Sequence, residues 1–148
     1  MKNIMLSALA LGGLIWSQAA AADETADPAK LIGAYQIVSG SRDGQELGKD
    51  RLQDMSMRIA ANAITTFDKD KKEVYAATYD IDSSRQPWRI SMTAKVTPAN
   101  GTGAKSSGLI EMTGDTVKLI YALPGGAVPT DFKTGEKQQM FVLKKVEN

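Results

Sequence analysis

Apolar and polar residues alternate with a period of two along most of the chain after residue 30. The clearest case runs from Trp88 to Lys95, where polar side chains occupy one face and apolar ones the other: Trp88, Ile90, Met92 and Ala94. Successive side chains of a β-strand point to opposite faces, so this pattern predicts a strand with one buried face.

Similar alternation recurs in segments separated by turn-forming residues. In the first segment it places Tyr35, Ile37 and Ser39 on one face. No stretch of about 12 residues has a helical period. The pattern therefore predicts about eight short strands, which cover residues 33–40, 55–60, 63–67, 73–81, 88–95, 108–113, 116–123 and 138–146.

Short antiparallel strands in this number fit either an up-and-down barrel or a sandwich. A barrel is favoured, because sequential hairpins need no crossover and closure removes exposed strand edges. We expect an all-β fold: a single antiparallel barrel of about eight strands over residues 30–148. Residues 23–29 form either a flexible lead-in or, through Asp27 and Pro28, the cap of a short N-terminal helical turn.

The N-terminus has the organisation of a secretory signal peptide. Lys2 precedes an apolar run over residues 4–16, and small residues lead to Ala22 before the acidic Asp23. The run is too short to span a bilayer, so we expect cleavage after Ala22 rather than an uncleaved anchor. No cysteine follows the run to carry a lipid, so we expect a periplasmic or extracellular protein rather than a lipoprotein.

Charge and size narrow the function classes. Without residues 1–22, the 148-residue chain leaves 126 residues, enough for one domain with its own core. This part balances 17 basic against 17 acidic residues, since Lys2 is the only charged residue before Asp23. Interspersed, balanced charge argues against nucleic-acid or anionic-membrane binding.

Cysteine and histidine are both absent from the chain. Their absence removes disulfides, Ser-His-Asp and Cys-His nucleophile systems, and the usual ligands of zinc, copper and iron. We therefore expect no cofactor, no metal, no catalytic residues and a protein that is not an enzyme; an enzyme that uses carboxylates and tyrosine without histidine or cysteine is the alternative.

Two groups of carboxylates are the remaining candidates for a metal site or for acid-base catalysis, and both are weak. Asp68, Asp70 and Glu73 are interrupted by lysines and lack the spacing of a calcium loop, so a solvated hairpin is favoured. Asp80 and Asp82 share a strand face, but they precede a turn, and a turn-stabilising role is favoured over acid-base catalysis.

Five segments taken together resemble a known family. In order and spacing, residues 28–39, 43–44, 108–119, 124–126 and 129–132 are similar to the planctomycete-type lipocalin-like domain of unknown function. The resemblance covers nearly the whole chain after the signal, and it implies a lipocalin-like barrel in an exported protein.

This sequence departs from the family's pattern at three places. Gly33-Ala34-Tyr35 stands where the family has Gly-x-Trp, and Ile120 and Val128 stand where it commonly has Cys and Arg. Tyr can still plug a barrel end with its ring, so the fold expectation holds. The family supplies no activity to transfer.

Aromatic and methionine side chains on the expected inward faces are the candidate site. They suit either an adaptable pocket for an apolar ligand or an ordinary filled core, because an eight-stranded barrel permits both. An open barrel indicates a binding module for a small apolar ligand, whereas a filled one indicates an interaction or structural domain that contacts an envelope protein. The candidate pocket residues are Tyr35, Met57, Tyr79, Trp88, Met92, Met112 and Tyr121.

Overall fold

Nine strands dominate the computed structural model, which describes residues 27–96 and 103–146. A 3-10 turn over Pro28–Leu31 precedes them, and a single helical turn, α1, spans Lys49–Leu52. In chain order the strands are β1 (Gly33–Arg42), β2 (Gln45–Glu46), β3 (Ser56–Ile59), β4 (Ala63–Phe67), β5 (Glu73–Asp82), β6 (Trp88–Val96), β7 (Lys105–Thr113), β8 (Thr116–Ala122) and β9 (Gln138–Lys145).

The sheet closes into a barrel through β1. From β3 to β9 each strand pairs antiparallel with the next in sequence, and β1 pairs with both β3 and β9. The short β2 is an additional strand that pairs with the end of β1. The predicted all-β fold, an antiparallel eight-stranded barrel with a short N-terminal helical turn, is confirmed.

Local capping explains the 3-10 turn. Asp27 lies in extended backbone and its carboxylate accepts a hydrogen bond from the Ala29 amide at 2.9 Å, while Pro28 occupies the first position. Residues 23–29 were predicted to form either a flexible lead-in or a capped turn. The structure describes residues 27–29 of this segment, and they adopt the capped turn. The predicted signal peptide over residues 1–22 and its cleavage site lie outside the described residues. Among the helices that are described, none has the length and apolar character needed to cross a membrane.

A β-bulge in β1 changes which side chains face inward. The register with β9 shifts between Ile37 and Ser39, and Val38 and Ser39 are both exposed. The predicted placement of Ser39 on the same face as Tyr35 is therefore wrong. The extra residue at the bulge puts Gly40 in the buried position instead, and the exposed Arg42 lies on the same face of the strand as Gly40.

The core is a continuous set of apolar side chains inside the barrel. The alternating segment beginning at Trp88 appears as β6, with its four apolar residues buried and its polar residues largely exposed. Large side chains that are almost fully buried include Leu31, Tyr35, Ile59, Ile64, Ile90, Met92, Ile110, Leu119, Leu143 and Val117.

Candidate functional site

A cavity of about 610 Å³ opens at one end of the barrel. We call it the mouth cavity. It lies where β1, β4, β6 and β8 end and where β5, β7 and β9 begin, so strands distant in sequence contribute to it. The described residues that line it are Arg42, Leu47, Arg51, Leu52, Met55, Thr66, Val74, Tyr75, Ala94, Ala104, Lys105, Ser106, Tyr121, Ala122, Leu123, Pro124, Gln139 and Phe141.

The opposite end of the barrel is closed by packed and hydrogen-bonded side chains. Tyr35, fully buried, donates a hydrogen bond from its hydroxyl to the Leu31 carbonyl at 2.7 Å. Tyr79 donates a similar bond to the Ala60 carbonyl at 2.6 Å. The Lys145 ammonium lies 5.9 Å from the centre of the Tyr35 ring and donates to the Lys30 carbonyl. One half of the barrel is thus filled, and the other half is open.

The walls of the mouth cavity are mainly apolar. Aliphatic side chains come from the β1–β3 connection, through Leu47, Leu52 and Met55, and from the segment that follows β8, through Leu123 and Pro124. Apolar walls of this extent favour an apolar or amphipathic occupant over a strongly hydrated one.

Two tyrosines give the cavity uncharged hydrogen-bonding groups. Burial raises the pKa of Tyr121 well above its ordinary value, the neighbouring Tyr75 adds to the rise, and Arg42 opposes it. Burial likewise raises the pKa of Tyr75, and Ser106 partly offsets that shift. Both phenols are therefore neutral at physiological pH, and they can donate hydrogen bonds.

Three cationic side chains also line the cavity. Arg42 comes from the end of β1, Arg51 from α1 and Lys105 from the first position of β7. Neither aspartate nor glutamate occurs among the described lining residues. The charged part of the lining therefore carries a single sign.

Of the seven predicted pocket residues, only Tyr121 is among the described residues that line the mouth cavity. The other six belong to the packed interior or contact it: Tyr35, Met57, Trp88 and Met92 are buried core, and Tyr79 and Met112 are partly buried against it. The indole Nε1 of Trp88 is buried without a hydrogen-bond partner in the described part of the chain.

Most residues that line the mouth cavity were not predicted from the sequence. Tyr75 could have been found, because it shares the alternating face of β5 with Tyr79. Arg42 could not, because the bulge that places it on the same face as Gly40 has no sequence signal. Arg51 and Lys105 lie outside the strands that the alternation predicts, so the sequence alone gave no reason to connect them.

One carboxylate from each of the two groups, Asp68 and Asp82, stabilises a turn, whereas Glu73 and Asp80 lie within β5. Asp68 accepts hydrogen bonds from the amides of Asp70 and Lys72, each at 2.9 Å, which orders the β4–β5 hairpin. Asp82 accepts from the amide and hydroxyl of Ser84, and these bonds lower the pKa of its carboxyl. Across residues 27–96 and 103–146, no three acidic side chains converge in a group suited to a metal ion.

Comparisons of the chain with protein-family models, with curated proteins and with solved structures find no match. The geometry of the mouth cavity is therefore the basis for any functional assignment.

Proposed function

We propose that this protein is an exported, lipocalin-like binding module that holds a small apolar ligand in the mouth cavity. The observation that carries the proposal is the cavity itself, about 610 Å³ with largely apolar walls. This volume falls within the range of roughly 300 to 1,000 Å³ that is typical of small-molecule sites.

The division of the barrel supports binding over a purely structural role. A filled interior would be sufficient for stability, and the half around Tyr35 already provides such a core. In the other half, apolar side chains surround open space. These side chains lack packing contacts unless another molecule fills the space. An apolar ligand would restore those contacts.

The exported location and the lipocalin-like family in this proposal are inferred from the sequence. The signal-like segment over residues 1–22 supports an extracytoplasmic site of action, and the resemblance to the planctomycete-type lipocalin-like domain remains a prediction. A filled-barrel domain that contacts an envelope protein would leave the mouth cavity without a role.

Uptake of a neutral, apolar fluorescent dye such as Nile red tests the proposal. We expect saturable binding by the unaltered protein and at least tenfold weaker binding by Ala94→Trp. Ala94 is buried on the inner face of β6 and lines the cavity, so a larger side chain there fills it. Ser91→Trp places the same side chain on the outer face of the same strand and should leave binding unchanged.

The half-buried Gln139→Trp provides a second blocking variant if the Ala94 substitution disrupts the fold. Circular dichroism identifies which variants keep the barrel. Absence of saturable dye uptake by the unaltered protein would overturn the proposal, as would equal uptake by a folded blocking variant.

A further inference from the structure

We propose that the ligand is an amphiphile with a single apolar chain and an anionic head group, and that Arg42, Arg51 and Lys105 bind the head. This inference rests on the proposed function, since it specifies the chemistry of the molecule in the mouth cavity. Its basis is charge complementarity: three cations line the cavity, and no carboxylate does so among the described residues.

The three cations come from different elements that meet only at the open end of the barrel. Arg42 follows the bulge at the end of β1, Arg51 lies on α1, and Lys105 begins β7; all three are exposed residues that also line the cavity. Arg42 and Tyr121 both line the cavity, and the positive charge of Arg42 opposes the rise that burial causes in the pKa of Tyr121. These residues therefore surround an apolar space with positive charge near its opening.

Among the described residues, Asp43 is the only carboxylate that forms an ion pair with one of these three cations. Asp43 lies 3.9 Å from the Nε atom of Arg42, and both side chains are 54% exposed, so solvent weakens that ion pair. The Asp43 carboxylate also accepts a hydrogen bond from the Lys137 amide at 2.6 Å. Asp68 and Asp131 accept from backbone amides of their own turns.

Apolar walls together with cations favour a ligand that has both an apolar part and an anionic part. A small inorganic anion would leave the apolar walls uncovered, and a neutral hydrocarbon would offer the three cations no anionic partner. A molecule with both parts can bury its chain against the walls and accept hydrogen bonds from the guanidinium groups, which suit carboxylate and phosphate oxygens. Carboxylate and phosphate monoester heads share this chemistry.

Isothermal titration calorimetry with four twelve-carbon probes tests the inference. Dodecanoate and dodecyl phosphate carry the anionic heads, dodecanol is neutral, and dodecyltrimethylammonium is cationic. We expect at least one anionic probe to bind about tenfold or more tightly than dodecanol. The better anion distinguishes carboxylate from phosphate as the preferred head.

Substitution of the cations should remove this preference selectively. In the double variant Arg42→Gln, Arg51→Gln, we expect affinity for the better anion to fall at least tenfold while affinity for dodecanol stays within about threefold. Arg58→Gln is the matched control, because Arg58 is exposed on β3 and does not line the cavity. Should the double variant fail to fold, Lys105→Gln tests the same expectation.

Two results would overturn the inference in different ways. If dodecanol binds as tightly as both anions and the arginine substitutions have no effect, the proposed anionic head group is wrong. The proposed binding of an apolar ligand would still stand. Failure of all four probes and of the neutral dye to bind would overturn the proposed function as well.

Discussion

The hydroxyl of Tyr35 donates a hydrogen bond of 2.7 Å to the backbone carbonyl of Leu31, and both residues are fully buried. This bond joins the N-terminal 3-10 turn to the first strand of the barrel. It lies at the filled end, opposite the mouth cavity. The Tyr35 hydroxyl therefore contributes to folding stability, and this contribution can be measured separately from ligand binding.

We expect Tyr35→Phe to lower the free energy of unfolding by about 1 to 3 kcal/mol, because the buried Leu31 carbonyl loses its partner. Urea unfolding followed by circular dichroism measures the change. Tyr75→Phe is the matched control: its hydroxyl lies at the mouth cavity, so we expect a loss of less than about 1 kcal/mol. Dye binding by Tyr35→Phe should stay unchanged. Equal losses for the two variants would contradict the structural role assigned to Tyr35.

The same tyrosine predicts a loss of stability at alkaline pH. Burial, with smaller contributions from Tyr79 and Asp115, raises the pKa of Tyr35 to about 12. In the unfolded chain its pKa is about 10. Below pH 10 the phenol is neutral in both states, so its contribution to stability is fully present. Between pH 10 and 12 the unfolded chain releases a proton that the folded protein retains, and stability falls by up to about 1.4 kcal/mol per pH unit.

Comparison with Tyr35→Phe isolates this effect, because lysines and other tyrosines titrate in both proteins. We expect the stability difference between the two proteins to be constant from pH 8 to about 9.5 and to shrink by about 1 to 3 kcal/mol at higher pH. Urea unfolding at stepped pH values provides the measurement. A difference that stays constant up to pH 12 would contradict the raised pKa.

Close approach of β7 and β8 makes Gly108 sensitive to substitution. A Cβ atom added to Gly108 would lie 1.9 Å from the Ile120 carbonyl oxygen, so the backbone must shift to admit alanine. We expect Gly108→Ala to cost about 2 to 4 kcal/mol of folding stability. Gly48→Ala is the matched control, since a Cβ there meets nothing within 4 Å, and we expect a cost below about 1 kcal/mol. Thermal and urea unfolding compare the two, and similar costs would contradict the clash.

Some residues are buried even though the alternation of apolar and polar positions places them on the outward face of the barrel. Leu109 and Ile120 are paired across β7 and β8 and are both buried, although they lie on the face opposite the inward-pointing Ile110 and Leu119. Both faces of these strands are thus apolar, which explains why the alternation there is less clean than in β6. The sequence predicted the hairpin around Gly114 and placed Met112 and Tyr121 on its inward face, which is the face that also carries Ile110 and Leu119.

The sequence by itself determined the strands and the antiparallel barrel, because a period of two and local turn residues act over a few neighbouring positions. It also determined which catalytic and metal chemistries are excluded, since those depend on residue types that the chain lacks. The tertiary structure alone decided where the barrel is filled and where it is open. Only closure of the sheet and the bulge at Val38 and Ser39 bring Arg42, Arg51, Lys105 and Tyr121 to one cavity. These positions are far apart along the chain, and their proximity depends on strand register, which local sequence patterns do not specify.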